Sequence, residues 1–299
     1  MNRSKLVGAT ALASVMAAGA AHAEMSISGL FAGTLADSDG GGLAHSLSTN
    51  SIYVNYSDSM DNGMGVAVAM SVSDGGAIKT GVSFDTGMGT IGLGESQDSA
   101  QDKMDGSPAC YSIILCGAAY STYDATDNAT GYMDGDAQSG SSIAYSNTMG
   151  GVSFKVTRGM ESSTYDPTLS YAASASIMGA TVKAGLSSVD FKAAGTADRD
   201  PSFVTVAYSI AGLNLGYALY DSDNGTEETQ MGVGTSMMGL DVGVTFAEAD
   251  AATDTDYMRV SATKGMGAAS FGIDFTETDV ASTPTGDSDA WQFTYVVGF

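Results

Sequence analysis

From Met25 to Phe299, apart from residues 96–140, the chain alternates segment after segment, and few folds accept so long an alternation. In the first segment Met25, Ile27, Phe31 and Leu35 take odd positions, with Gly29 and Gly33 among them, while Ser26, Ser28, Ala32 and Thr34 take even ones. Met64, Val66, Val68, Met70 and Val72 likewise oppose Gly65, Ala67, Ala69 and Ser71. Period two marks a β-strand with one apolar face. Five such segments precede residue 96, at 25–35, 47–56, 64–72, 78–84 and 91–95. Eleven follow residue 140, at 141–147, 152–158, 168–177, 180–189, 202–210, 213–221, 228–236, 240–247, 256–263, 268–276 and 290–299.

These segments are mostly about 9–11 residues, the length that crosses a bilayer at a tilt. Their polar faces hold Ser, Thr, Gly and Ala, too small and polar for a packed core. Their apolar faces are too many for one small core. A wide closed barrel satisfies both, with lipid against the apolar face and water against the polar one. The expected fold is all-β, a 16-stranded antiparallel transmembrane β-barrel. An even strand count puts both chain ends on one side, so the first strand can pair with the last.

The connections alternate in kind. One set is tight and glycine-bearing, as at Gly87-Met88-Gly89, Met178-Gly179, Ala211-Gly212 and Met237-Met238-Gly239. Glycine supplies the positive φ that short hairpins need. The other set is mostly long and acidic: 37–45, 96–140, 159–167, 190–201, 222–227, 248–255 and 277–289. Short turns at one end and long loops at the other are the arrangement of outer-membrane barrels.

Residues 1–23 form a secretory signal peptide: Arg3 and Lys5, the uncharged run Leu6–Ala21, and the small-x-small site Ala21-His22-Ala23. The mature chain, 24–299, then holds nine basic against 34 acidic residues, a net charge of −25. That balance argues against nucleic acid and anionic surfaces as partners and suits cations.

The segment 96–140 breaks the alternation. A structureless insert of this length inside a compact domain is functional or disordered. It is expected to fold into the mouth or lumen of the barrel. It holds Cys110 and Cys116, expected to form a disulfide in an oxidising compartment. So small a ring contributes roughly 2 kcal/mol in the chain-entropy model. Two cysteines without a nearby histidine do not complete a zinc shell, so no metal site is expected. The run Asp37–Gly42 has a slight likeness to calcium-binding loops, and no cofactor is assigned to it.

Parity also sorts the basic residues. Lys79, Lys155, Lys183 and Arg259 are each out of phase with apolar neighbours and are expected to line the lumen. A charge at lipid mid-depth would cost about 2–4 kcal/mol.

An export signal, 16 amphipathic segments, a long third loop and an aromatic last strand (Trp291, Phe293, Tyr295, Phe299) together resemble a general diffusion porin of Gram-negative bacteria. The Gly-, Ala- and Asp-rich style is most similar to the alphaproteobacterial porins. Ile91-Gly92-Leu93-Gly94-Glu95 resembles the strand before the family's third loop, and Ser142-Ile143-Ala144-Tyr145 the strand after it. The resemblance spans 24–299 and implies a water-filled outer-membrane channel for passive diffusion of small hydrophilic solutes and ions. It implies that the four basic residues face a constriction loop bearing Asp98, Asp102, Asp105, Asp124, Asp127, Asp134 and Asp136. It also implies a homotrimer in outer-membrane lipid and a terminal Phe299 read by the barrel-insertion machinery. The acidic excess predicts cation preference. Two features depart from the family: loop 73–76 is too short to reach far into a neighbour, and a third-loop disulfide is not general to it.

Other readings make different predictions. A substrate-specific channel would use aromatic rings such as Tyr111, Tyr120, Tyr123 and Tyr132; a surface barrel would not conduct; a soluble β protein would need no detergent. An enzyme is not expected: the mature chain has one histidine, His45, placed by sequence in the first outer loop, and no Gly-x-Ser-x-Gly elbow.

Overall fold

A computed structural model describes residues 24–38, 42–73, 78–95, 100, 141–161, 166–193, 196–223, 225, 227–250, 254–280 and 288–299. The strands are β1 (Glu24–Ser38), β2 (Ala44–Ser59), β3 (Gly65–Ser73), β4 (Ile78–Asp85), β5 (Thr90–Gly94), β6 (Ser142–Met149), β7 (Val152–Gly159) and β8 (Leu169–Ile177). They continue as β9 (Ala180–Ser188), β10 (Ser202–Ile210), β11 (Leu213–Asp221), β12 (Glu227–Met237), β13 (Leu240–Asp250), β14 (Thr255–Met266), β15 (Ala269–Val280) and β16 (Ser288–Gly298). Each pairs antiparallel with its sequence neighbours, and β1 pairs with β16 to close the barrel. All sixteen expected strands are present.

Their lengths spread more widely than expected, from 5 residues in β5 to 16 in β2. Ala36 pairs with Ala44 and Leu35 with His45, so the first hairpin continues past the expected boundary. His45 therefore sits in β2, not in the first outer loop. β5 stops at Gly94, whose φ of 113° turns the chain away; Glu95 then donates its amide to Thr80 O at 2.8 Å.

The tight connections are built as the sequence requires. In Met178-Gly179, Ala211-Gly212 and Met238-Gly239 both residues have positive φ, between 51° and 85°. Positive φ at both central residues defines the turn whose twist matches that of the flanking strands.

Alternation becomes two surfaces. Ile27, Phe31, Ile52, Val204, Leu215 and Phe246 are exposed on the outer wall. Their neighbours Ala32, Thr34, Phe203, Thr205, Ala218 and Thr245 point inward and are buried. An apolar outer face with a polar inner one is stable only where lipid replaces water outside.

The seam between the chain ends is built around two glycines. Gly29 and Phe299 exchange backbone hydrogen bonds, at 2.9 Å from the Gly29 amide and 3.1 Å from the Phe299 amide. The Phe299 ring covers Gly29, and the Tyr295 ring covers Gly33. Tyr295 lies 6.0 Å from Phe31 between ring centroids, stacks on His45, and its hydroxyl is 3.1 Å from His45 Nε2.

At the long-loop end Lys192 bonds Glu161 and has Asp166 at 4.0 Å, tying these two residues to the chain that follows β9. The Lys192 hydrogen bond and charge hold the Glu161 carboxyl below its ordinary value. A depressed carboxyl pKa stabilises the contact above the ordinary carboxylate range, and that contribution is lost as pH falls through the folded-state pKa. Amide protection factors near Lys192, taken relative to the intrinsic exchange rate at each pH, are expected to fall on acidification. In E161Q the same protection factors are expected to be low already at neutral pH, with little further change on acidification. Both side chains are substantially exposed, so the effect is local.

Candidate functional site

The inner wall carries three dispersed lysines and one charge cluster. Lys79 on β4 pairs across with Ser71, Lys155 on β7 with Ser146 and Ala172, and Lys183 on β9 with Ser174 and Thr205. All these positions share the inward parity, so the three lysines face the lumen, from strands spread between β4 and β9. Lys155 is buried, with 8% of its surface exposed.

Arg259 faces the lumen from β14, well separated from all three lysines around the closed strand order. It is buried, and its Nε donates to Thr276 Oγ1 on β15 at 3.0 Å. Two inward carboxylates lie within electrostatic reach of it, Asp274 on β15 and Glu228 on β12. Glu228 is 0% exposed and Asp274 1%. Gln230 Nε2 donates to Glu228 Oε1, and Ser261 Oγ donates to Asp274 Oδ1 at 2.6 Å. Asp274 Oδ2 is buried with no hydrogen-bond partner among the described residues. Among the described residues, one guanidinium and two carboxylates give this cluster a net single negative charge. Away from bulk water such charges interact more strongly than exposed ones.

Sequence reasoning missed Glu228 and Asp274. Their signal was parity: Asp274 lies between Ile273 and Phe275, and Glu228 is two residues before Gln230, in the same inward phase. It also missed an apolar seat on the inner wall. Phe203 and Tyr220 point inward and are fully buried, with ring centroids 6.4 Å apart. They cluster with Ala172, Val189, Ala218 and Ala100. Ala100 is part of the insert, and its amide donates to Ser170 Oγ on β8 at 2.7 Å. At residue 100 the chain therefore runs inside the barrel, against the wall of β8 to β11. The off-phase aromatics Phe203, beside Val204, and Tyr220, beside Leu219, were the readable sign of that seat.

The loop carboxylates Asp98, Asp102, Asp105, Asp124, Asp127, Asp134 and Asp136 lie outside the described residues, as do Cys110, Cys116 and part of the 37–42 run. Among the described residues no trio of His, Cys, Asp or Glu is grouped to hold a metal ion.

The outer wall has its own charge pattern at the long-loop end. Glu248 pairs with Asp256, Asp256 with Asp279, Glu277 with Asp289, and Glu227 with Asp250, all in the outward phase. Like charges directly opposite on a sheet repel. Such a rim is stable only where water and ions screen it, which places it above the apolar band.

A closed barrel that is apolar outside and charged inside is a membrane channel. A family model for Gram-negative porins matches residues 8–298, and the chain belongs to that family. Among solved structures, the trimer form of in-vitro folded OmpT from Vibrio cholerae has a TM-score of 0.67 at 12% identity, covering 93% of this chain and 100% of that one. The anion-selective porin from Comamonas acidovorans gives 0.68 at 12% identity, with 93% and 100% covered. A triple mutant of the Rhodopseudomonas blastica porin gives 0.62 at 16%, with 92% and 100% covered. Identities this low establish the shared fold. No curated protein sequence matches the chain. The protein is an outer-membrane diffusion channel of the porin type.

Proposed function

We propose that the channel passes small hydrophilic solutes passively, prefers cations, and performs no chemistry. The observation that carries the preference is the Arg259 cluster. One of the four expected lumen cations is framed by Glu228 and Asp274 on its own wall, so its charge is spent locally. Lys155 on β7 and Lys183 on β9 stand beside the wall that Ala100 packs against, and Lys79 faces the lumen from β4. The acidic insert residues are assigned to offset them, with the insert narrowing the lumen and a Cys110–Cys116 bridge stiffening it. At physiological salt the Debye length is about 8 Å, so wall charges select only where the path is narrow. Charge on the mature chain supports the same sign: −25 after removal of residues 1–23 as an export signal. Homotrimer assembly is part of the proposal, supported by the trimer form of a protein with the same fold.

Reversal potential across a salt gradient tests the preference in a planar bilayer. Wild type is expected to favour cations, and D274N/E228Q to shift the potential toward anions. An anion-favouring wild type would overturn the reading. Current proportional to salt is expected of an open pore; saturable block by a sugar would favour a substrate-specific channel, and no current would favour a surface barrel.

A further inference from the structure

The outer wall of β7 to β10 carries a hollow that the diffusion function does not use. Its volume is about 440 Å³. That falls in the range of small-molecule sites, roughly 300–1,000 Å³. Cross-strand register explains it. In one outward row Phe154 pairs with Ala173, Ala173 with Ala184, and Ala184 with Val204. The two alanines make a floor, and Phe154 and Val204 stand at its sides. The next row toward the long loops is Val156, Tyr171 and Leu186, so large side chains wall the hollow above. Tyr171, Leu186 and Val204 are 42%, 49% and 42% exposed, so the hollow opens outward to the membrane.

Arg158 stands one outward position above Val156 on the same strand, about 7 Å along it. It pairs across with Ile143 and Leu169, and among the described strand residues no acidic side chain pairs with it on the outward face. Among the described strands it is the only outward-facing basic residue at the long-loop end; Lys264 faces outward at the opposite end. The wall of β12 to β15, with β16, presents the acidic pairs described above instead. An anionic lipid approaching the barrel is repelled there and attracted at Arg158. Arginine binds phosphate oxygens through charge-assisted, often bidentate hydrogen bonds.

We propose that this flank is a binding site for one anionic lipid, with its phosphate on Arg158 and an acyl chain in the hollow over Ala173 and Ala184. The occupant follows from the pairing of a single cation with an apolar hollow directly beneath it, the layout of a phosphate above its acyl chains.

Native mass spectrometry of the detergent-solubilised, refolded mature barrel tests the site. The probes are phosphatidylglycerol and phosphatidylcholine with identical chains, offered in equal amounts. Wild type is expected to retain one phosphatidylglycerol in about fivefold preference, the scale of one basic residue near a membrane surface. R158Q is expected to bind both lipids equally. A184F, which fills the hollow, is expected to lose both, while V233F on the distant outer wall retains them. Heat-modifiable migration confirms that each variant is folded. Preference surviving in R158Q, or retention surviving in A184F, would overturn the proposal. So would an A184F variant that changes oligomer size and leaves lipid retention intact, since the hollow would then be covered by a second copy of the chain.

Discussion

R259M is expected to be the most damaging single substitution in the barrel wall, lowering stability by about 3–5 kcal/mol in urea or guanidinium unfolding. Among the described residues Arg259 is the positive group that faces Glu228 and Asp274, and all three are buried. Removing it takes the guanidinium away from two buried carboxylates, and the cost is that of a broken buried charge pair. The reverse substitutions differ in kind. D274N keeps an oxygen that can accept from Ser261 Oγ and removes the excess negative charge, so it is expected to cost far less, about 1 kcal/mol or below. The triple variant R259M/E228Q/D274N is expected to recover most of the loss, because neutral polar groups replace the whole charge set. If R259M unfolds with the wild-type midpoint, the three groups are not energetically coupled. Reversal potentials of the same proteins separate stability from selectivity: D274N stays folded and still shifts toward anions.

Much of this fold was legible because a barrel wall writes its two environments into alternate residues. Lipid admits Ile27, Phe31 and Phe246, and the inner wall admits Thr34, Thr205 and Thr245, so period two survives along nearly every strand. Turn positions were legible for a separate reason, since Met178-Gly179 and Ala211-Gly212 need positive φ. The exceptions were harder. His45 looked like a loop residue because the sequence around it is polar, yet pairing of Leu35 with His45 and Ala36 with Ala44 carries the ladder onward. A strand that rises beyond the lipid no longer needs an apolar face, and its end then reads as loop. The seat formed by Phe203 and Tyr220 was hidden for the opposite reason. It is an apolar patch on a face expected to be polar, and only its contact with Ala100, distant in sequence, explains it. The Arg259 cluster unites three strands across residues 228–274, and nothing local to Arg259 announces its partners.

G33V is expected to weaken barrel closure more than G29V, although the two glycines look alike in sequence. A Cβ at Gly33 would meet the Tyr295 hydroxyl at 2.4 Å and the ring carbon bearing it at 2.6 Å. At Gly29 it would meet the far edge of the Phe299 ring at 2.1 Å. The nominal clash is worse at Gly29, but what can yield differs. Phe299 is the last residue, and its ring can swing away while the backbone bonds to Gly29 persist. Tyr295 is inside β16, beside Phe31 and bonded to His45. Displacing it breaks the ring contact and the hydroxyl bond together. Overpacking of this kind costs about 1–3 kcal/mol, and G33V is expected near the top of that range, with G29V near the bottom. Y295F, which keeps the ring and loses only the exposed bond to His45, is expected to cost under about 1 kcal/mol. The temperature at which the folded band disappears in a heat-modifiability gel reads all three. The cause is isolated by G33V/Y295A. If the ring is what valine strikes, the double variant is no less stable than Y295A alone. If instead strand β1 cannot carry a branched residue at 33, the two losses add.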